Sequence, residues 1–452
     1  ELVRARTPVE QWPAEYFEVV DNICRRDVLL DSPLKPGEAL RAAVARGAEA
    51  MLAELKLSNL RGRGGAGFTT AVKWDSCRQA PVAEKHQRVV VCNADEGEPG
   101  TFKDRVLLTR HADLVFEGMT IAALTIGANK GYLYLRGEYL YLLPALQANL
   151  ERRRREGMLG KGILGTVGFD FDIDIHLGCG AYVCGEETAL IESLEGKRGI
   201  PRVRPPFPVT NGYLGRPTIV NNVETLAKAA LIAVSGGAWF AGLGTKQSTG
   251  TKVLSISGDV ERPGIYEYPF GVTVEQVLRD CGAGNAQAVQ VSGASGVCLD
   301  ANEFRRRIAF EDVPTAGAFM VFGPDRDLFE VARNFAHFFA HESCGFCTPC
   351  RVGTSLVMNC LDKIADGAGT QHEINEIFKL HRLMHAGSHC GLGQAACNPV
   401  IDTLTKFRPA YERRLRSLDF APAFDLDKAL AAARQMTGRD DADAHFANEA
   451  NK

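Results

Sequence analysis

Apolar residues recur at helical spacing over residues 39–55, just after the turn Pro36-Gly37, so the first sixty residues read as a peripheral helical segment. A short helix is expected from Thr69 through Trp74. An unbroken apolar strand follows over 88–92, then a helix over 114–126, a strand over 130–136 and a helix over 140–156. Residues 169–176 alternate apolar and acidic side chains, as a strand does, and lead through a glycine turn into a helix with Glu186 and Glu187 at its start. Carboxylates are favoured there by the helix dipole. A further helix opens at Asn221-Asn222-Val223-Glu224-Thr225. After the Gly/Ser/Thr-rich stretch 236–250 the texture changes. Strands at 252–258, 264–268, 289–293 and 319–322 surround one helix at 274–280, which predicts a small α+β domain without evident chemistry. From Asp327 onward the pattern is helical, over 330–341, 354–366, 374–385 and 398–416, as in a four-helix bundle. The tail beyond Gly438 is polar and acidic and is expected to be disordered.

Composition narrows the function. A chain of 452 residues with 45% apolar and 24% charged residues has the makeup of an ordinary globular protein of about three domains. The net charge of −3 gives no general attraction for nucleic acid or anionic membrane. The arginine run at 151–156 is short and flanked by acids, and reads as a solvated helix face. No apolar run is long enough to insert in a membrane, and the first residues lack the apolar core of a secretion signal. Thirteen cysteines without small-domain spacing point to a reducing compartment, the cytoplasm, and to a metal site.

The cysteines carry the strongest signal. Cys344, Cys347 and Cys350 stand at three-residue spacing in one loop, and Cys390 follows forty residues on. Three thiolates this close can hold one face of an iron–sulfur cube, with the distant one closing the fourth corner. Zinc also takes four cysteines, but usually as two separated pairs. Cys24, Cys179, Cys184, Cys360 and Cys397 are expected to be packing residues. Elsewhere, Arg61–Phe68 places four glycines in six residues ahead of a helix, where backbone N–H groups can meet an anion, with Lys73 one turn in. Asn93, Asp95, Glu96 and Glu98 crowd the C-terminal end of a buried strand, which is where α/β folds place ligands; a solvated acidic turn is the plain alternative. Prolines 205, 206 and 208 hold Phe207 on an extended path beside Arg204, suited to stacking on a flat ring or to serving as a linker.

Taken together, Arg61–Phe68, Asn93–Gly100, Gly180–Leu194, Pro205–Pro208, Asn221–Thr225, Glu342–Arg351 and Cys390 resemble the NADH-oxidising flavoprotein subunit of respiratory complex I and its relatives in NAD-linked hydrogenases and formate dehydrogenases. The resemblance implies a Rossmann-like α/β FMN domain (61–245), a ubiquitin-like β-grasp domain (250–326) and a helical bundle holding a [4Fe-4S] cluster (327–437), preceded by the helical segment 1–60 and followed by the tail 438–452. It implies FMN among Gly62, Gly64, Lys73, Asn93, Asp95, Glu96, Gly185, Glu186, Asn221, Asn222 and Thr225. NAD(H) is expected near Gly67, Phe68, Glu98, Glu187, Arg204 and Phe207, and Arg63 and Tyr182 complete the cofactor-binding set. Glu98 and Glu187 take the catalytic roles, Glu187 by orienting the nicotinamide end. The cluster ligands are Cys344, Cys347, Cys350 and Cys390. Thr69, Arg204, Phe346, Val352 and the surroundings of Cys390 depart from the complex I pattern and look like the diaphorase subunit of a soluble NAD-reducing [NiFe]-hydrogenase. That reading implies an electron-transfer iron–sulfur subunit and hydrogenase subunits as partners. The corresponding subunit of formate dehydrogenase or complex I is the alternative. The four cysteines of a thioredoxin-like [2Fe-2S] domain are absent, so that domain is not expected here.

Overall fold

The computed structural model describes residues 8, 11, 19–82, 88–416 and 426–440. The part of the expected tail beyond 440 lies outside them. Among the described residues ten strands form two sheets: β1 (Ile23–Arg25), β2 (Arg88–Ala94), β3 (Ala128–Leu135), β4 (Asp172–Leu177), β5 (Thr218–Asn222), β6 (Thr251–Gly258), β7 (Gly264–Pro269), β8 (Ala288–Val291), β9 (Val297–Asp300) and β10 (Ala318–Phe322).

The first sheet is parallel, with the order β4-β3-β2-β5. The helix Ala112–Ile126 packs on it and against the helix Val223–Ser235. Both are buried almost all round, which explains their near-continuous apolar sequence. Each fully buried side chain such as Phe116, Met119 or Ile121 contributes roughly 1.5–3 kcal/mol of transfer free energy. The two helices approach so closely at Gly118 that a Cβ there would overlap the Leu226 carbonyl. Because the strands run parallel, the ends of β2 and β5 bearing Asn93 and Asn222 lie side by side. That neighbourhood is where this class of sheet leaves room for a ligand.

The second sheet has the order β1-β7-β6-β10-β8-β9 and curls around the helix Val274–Cys281. The helices Leu328–Glu342, Thr348–Ala365, Gln371–Gly387 and Asn398–Lys406 make up the bundle. Their core is continuous with Val89, Val91 and Val220 of the first sheet.

Several elements differ from expectation. The helix expected over 39–55 is two, Glu38–Arg46 and Ala48–Ser58, broken at Gly47, whose φ of 81° and ψ of 162° no helix accommodates. The N-terminal segment is not purely helical, since β1 adds an edge to the second sheet beside β7. The helix over 140–156 begins as a tighter turn at Gly137–Leu142 and becomes α-helical only from Leu143. The last bundle helix stops at Lys406 and restarts at Arg408–Glu412, with Pro409 in the first turn of the new helix. The strands β5 and β9 and the helix Lys103–Arg110 went unforeseen. The arginine run is not merely solvated: Arg153 is fully buried on Asp113, and Arg152 also pairs with Asp113. Cys24 and Cys179 are exposed rather than packed, whereas Cys184 and Cys397 are buried.

Candidate active site

The glycine-rich turn is closed by a bridge between Arg61 and Thr69 and by Gly62 N–H donating to the Phe68 carbonyl at 2.9 Å. Gly65 and Gly67 have φ of 116° and 63°, values a side chain would resist, and the turn delivers the chain into the helix Thr70–Gln79. The turn forms one end of a cavity of about 500 Å³. The cavity runs past Asn93, Asp95, Glu96 and Glu98 at the end of β2, past Tyr182, Gly185 and Glu186, and past Asn222 at the end of β5. Cys390, Gly391 and Leu392 of the bundle line it as well.

Of the expected site residues, Gly64, Asn93, Asp95, Glu96, Glu98, Tyr182, Gly185, Glu186, Asn222 and Cys390 line this cavity. Asn93 donates to the Gly185 carbonyl at 2.9 Å, tying the two loops together. Asn222 accepts from Glu224 N–H and caps the helix Val223–Ser235, while Asn221 accepts from the Trp74 indole at 2.8 Å. Glu186 likewise caps its helix, accepting from Thr188 and Ala189 N–H. Glu96 is buried and accepts from Asp104 N–H at 2.8 Å and from the Tyr139 hydroxyl at 2.8 Å. Its acid group therefore serves the start of the helix Lys103–Arg110. Arg63 and Thr225 lie away from the cavity wall in the interior. Arg63 is fully buried, with its guanidinium on the Arg61, Thr249 and Thr251 carbonyls and its N–H on the Thr225 hydroxyl. Both hold the loop in place.

A second group gathers around Glu187. Lys73 Nζ pairs with its carboxylate at 2.8 Å, and Arg204 approaches both Glu186 (3.5 Å) and Glu187 (3.9 Å). Phe68, whose ring lies 6.0 Å from Lys73 Nζ, is 55% exposed and Phe207 is 51% exposed, so both rings remain available for stacking.

Some cavity residues carried no signal in the sequence. Lys103 is fully buried, 2.5 Å from Asp104, 3.1 Å from Asn222 and 3.2 Å from Glu224. Ser292, Ser295 and Ala316 come from the second sheet's domain, contrary to the expectation that it takes no part in the chemistry, and Asn398 comes from the bundle. These residues reach the cavity only through tertiary packing.

The electrostatics are those of an acidic floor. Burial raises the Asp95 carboxyl to about 7, with the Arg136 guanidinium opposing. Burial also raises Glu96 to about 7 and pushes Glu98 upward. For Lys103, burial disfavours the charge, but Asp104, Glu224 and Glu96 outweigh it and its pKa is raised. One oxygen of Asp95, Oδ2, is buried without a hydrogen-bond partner. A largely buried carboxyl group with an unpartnered oxygen, on a residue that lines a roomy cavity, suits a hydroxyl or ring N–H donor, and the glycine turn suits a phosphate. The residues present therefore fit a flavin nucleotide.

At the other end, Cys344, Cys347, Cys350 and Cys390 line one small cavity with Pro201, Phe346, His389 and Leu392. Cys347 sits at the N-terminus of the helix Thr348–Ala365. Cys390 receives N–H bonds from Leu392 and Gly393, and His389 N–H lies 3.5 Å from Cys347 Sγ. Burial, with the neighbouring thiols, pushes Cys350 up to about 11. Among the described residues no three His, Cys, Asp or Glu side chains converge on a single ion. The four thiols line one small cavity, and three of them from a single loop with one from a distant segment fit a [4Fe-4S] cluster.

Fold and site define a flavoprotein with an iron–sulfur module, and the comparisons agree. The Nuo51 FMN-binding domain matches residues 55–230, an SLBB domain matches 253–297, and the NADH-ubiquinone oxidoreductase-F iron–sulfur binding region matches 330–414. The chain is 51% identical over 376 residues to the NAD-reducing hydrogenase HoxS subunit alpha of Cupriavidus necator, covering 82% of this chain and 62% of that one. It is 40% identical over 391 residues to the F-type subunit of the NADH-quinone oxidoreductase of Aquifex aeolicus, covering 85% and 91%. The crystal structure of an NAD+-reducing [NiFe]-hydrogenase in the H2-reduced state superposes with a TM-score of 0.85 at 49% identity, covering 99% of this chain and 77% of that one. The chain belongs to the family of FMN- and [4Fe-4S]-binding flavoprotein subunits that includes the F-type subunits of NADH-quinone oxidoreductase and the alpha subunit of NAD-reducing hydrogenase.

Proposed function

We propose that this chain is the diaphorase subunit of a soluble, cytoplasmic NAD-reducing hydrogenase, exchanging hydride with NAD(H) and single electrons with a partner iron–sulfur subunit. The observation that carries the reading is the single cavity running from the glycine-rich turn to Cys390. When bound, FMN accepts two electrons as hydride and yields them one at a time, which is what a [4Fe-4S] cluster requires. The protein's own task is placement rather than strong acid–base chemistry. The glycine-turn N–H groups hold phosphate, and Asp95 and Asn93 hold hydroxyl and ring N–H groups. Glu98 and Glu187 orient the nucleotide, Glu187 being fixed between Lys73 and Arg204. Phe68 and Phe207 supply stacking faces. Cys344, Cys347, Cys350 and Cys390 hold the cluster.

The hydrogenase assignment is supported by identity to the HoxS alpha subunit and by the likeness to the hydrogenase structure. The test is metal content of the complex isolated through this subunit, together with NADH-dependent reduction of ferricyanide. Nickel without molybdenum, with NADH oxidation, is the expected result. Molybdenum or tungsten transfers the chain to a formate dehydrogenase, and absence of NADH oxidation overturns the diaphorase reading.

A further inference from the structure

Glu98 projects from the loop after β2, but what holds it comes from elsewhere. The turn between β8 and β9 wraps its carboxylate: Ser295 N–H donates to Oε1 at 2.9 Å and Ser295 Oγ–H to Oε2 at 2.8 Å. The Tyr182 hydroxyl donates to the same Oε2 at 2.7 Å. Gly293, at φ 73°, lies so close that a Cβ would overlap Glu98 Cγ. The turn is itself anchored on both sides. Asn398 of the bundle donates to the Ser295 carbonyl at 3.0 Å, and Ser292 Oγ accepts from Ala316 N–H at 2.9 Å. Tyr182 is fixed in turn by Glu342, which accepts its N–H at 3.0 Å, and by Phe338, whose ring meets it edge-on at 5.1 Å. Ser295, Tyr182, Glu98 and Asn398 all line the large cavity.

We propose that Ser295 is a positioning residue for the nucleotide site: it fixes the rotamer of Glu98, so that the SLBB domain builds part of the floor on which NAD(H) is oriented. The proposal rests on the diaphorase reading. The physical reason is the two-point grip. A carboxylate accepting from N–H and O–H of one residue, with a tyrosine hydroxyl sharing the second oxygen, has a single orientation open to it. An interaction that fixes orientation shows in the rate more than in ground-state affinity. The described side-chain partners of the Glu98 carboxylate, Ser295 and Tyr182, are both uncharged hydroxyl donors.

The experiment is a double-mutant cycle on the loaded protein. Variants Ser295→Ala, Ser295→Thr, Glu98→Gln and Ser295→Ala/Glu98→Gln are compared for kcat and KM with NADH and ferricyanide. NAD+ binding by calorimetry and thermal unfolding serve as readouts independent of turnover. In the parent, Ser295→Ala is expected to lower kcat about fivefold with KM changed less than twofold, and Ser295→Thr to restore it, since one intramolecular hydrogen bond is worth roughly a factor of two to ten. In the Glu98→Gln background the same substitution is expected to cost less than twofold, because a residue that acts through Glu98 has nothing left to position. Equal losses in both backgrounds, or no loss in the parent, overturn the proposal. If Ser295→Ala lowers the melting temperature sharply, the Ser295→Thr comparison decides: full activity upholds it, and loss equal to alanine overturns it. A parent that does not oxidise NADH overturns the diaphorase reading itself, which the cycle distinguishes from failure of the Ser295 role alone.

Discussion

Asp95 is the residue whose surroundings ask most clearly for a ligand. The residue is 8% exposed, one carboxyl oxygen has no partner, and burial lifts its pKa from 3.8 to about 7. The folded protein thus holds this proton more tightly than the unfolded chain does. The contribution to stability is intact below about pH 4 and is lost as pH rises through about 7. At about 1.4 kcal/mol per unit the loss is at most about 4 kcal/mol. Asp95→Asn should therefore raise the melting temperature of the flavin-free protein at pH 8, and the gap should close at pH 4. The same variant should bind FMN more weakly, which fluorescence titration measures. Cys390→Ser should lower iron content and remove the broad visible absorbance while leaving flavin bound, because the thiol is one of four around the small cavity. Legibility at this scale followed sequence distance. Cys344, Cys347 and Cys350 share a loop, so their spacing is their geometry. Asp95 and Glu98 follow a strand that advertises itself. Ser295 and Asn398 stand in ordinary polar stretches and acquire a role only when other domains bring the cavity to them. Arg63 sits inside a motif that suggests anion binding, yet its side chain turned inward to saturate carbonyls.

Among the elements, the helix pair Ala112–Ile126 and Val223–Ser235 sets the height of the sheet beneath the site. Gly118 is the contact point, and its Cβ would strike backbone rather than a side chain that can move. Gly118→Ala should destabilise by about 1–3 kcal/mol despite alanine's better helix propensity, as urea unfolding would show. These helices were legible because burial on all sides leaves long apolar runs. The strand β5 was not, since Thr218–Asn222 is short and ends in two polar residues that read as a helix start. The break at Gly47 was hidden because the apolar spacing carries on across it. The helix Lys103–Arg110 escaped because its buried residues include Lys103 and Asp104, which pattern reasoning assigns to solvent.

Across the molecule, the parallel sheet and the second sheet are joined through a buried ionic knot. Glu224 is fully buried, accepts from Lys252 and from Val253 N–H at 3.0 Å, and forms ion pairs with Lys228 at 3.0 Å and Lys103 at 3.2 Å. Burial opposes its charge, but the three ammonium groups hold its carboxyl well below the usual range. Glu224→Gln leaves those cations short of a counter-ion and should destabilise by about 3–5 kcal/mol. Calorimetry should show the domains on either side melting at a lower temperature as one transition, and two separated transitions would contradict a shared knot.

The short strand β1 adds a different constraint. It leaves the N-terminal segment, pairs with β7 at Ile265 and Tyr266, and hands Leu29 and Leu30 N–H to the Glu267 carboxylate before the chain enters the helices of the α/β domain. One sheet therefore has members from both sides of that domain in the chain, like a belt whose two ends meet in a single buckle. The SLBB domain cannot swing open as a hinged door without drawing a strand out of its sheet. Nucleotide exchange is then expected to proceed without opening this sheet, and a cross-link fixing β1 to β7 should leave turnover intact.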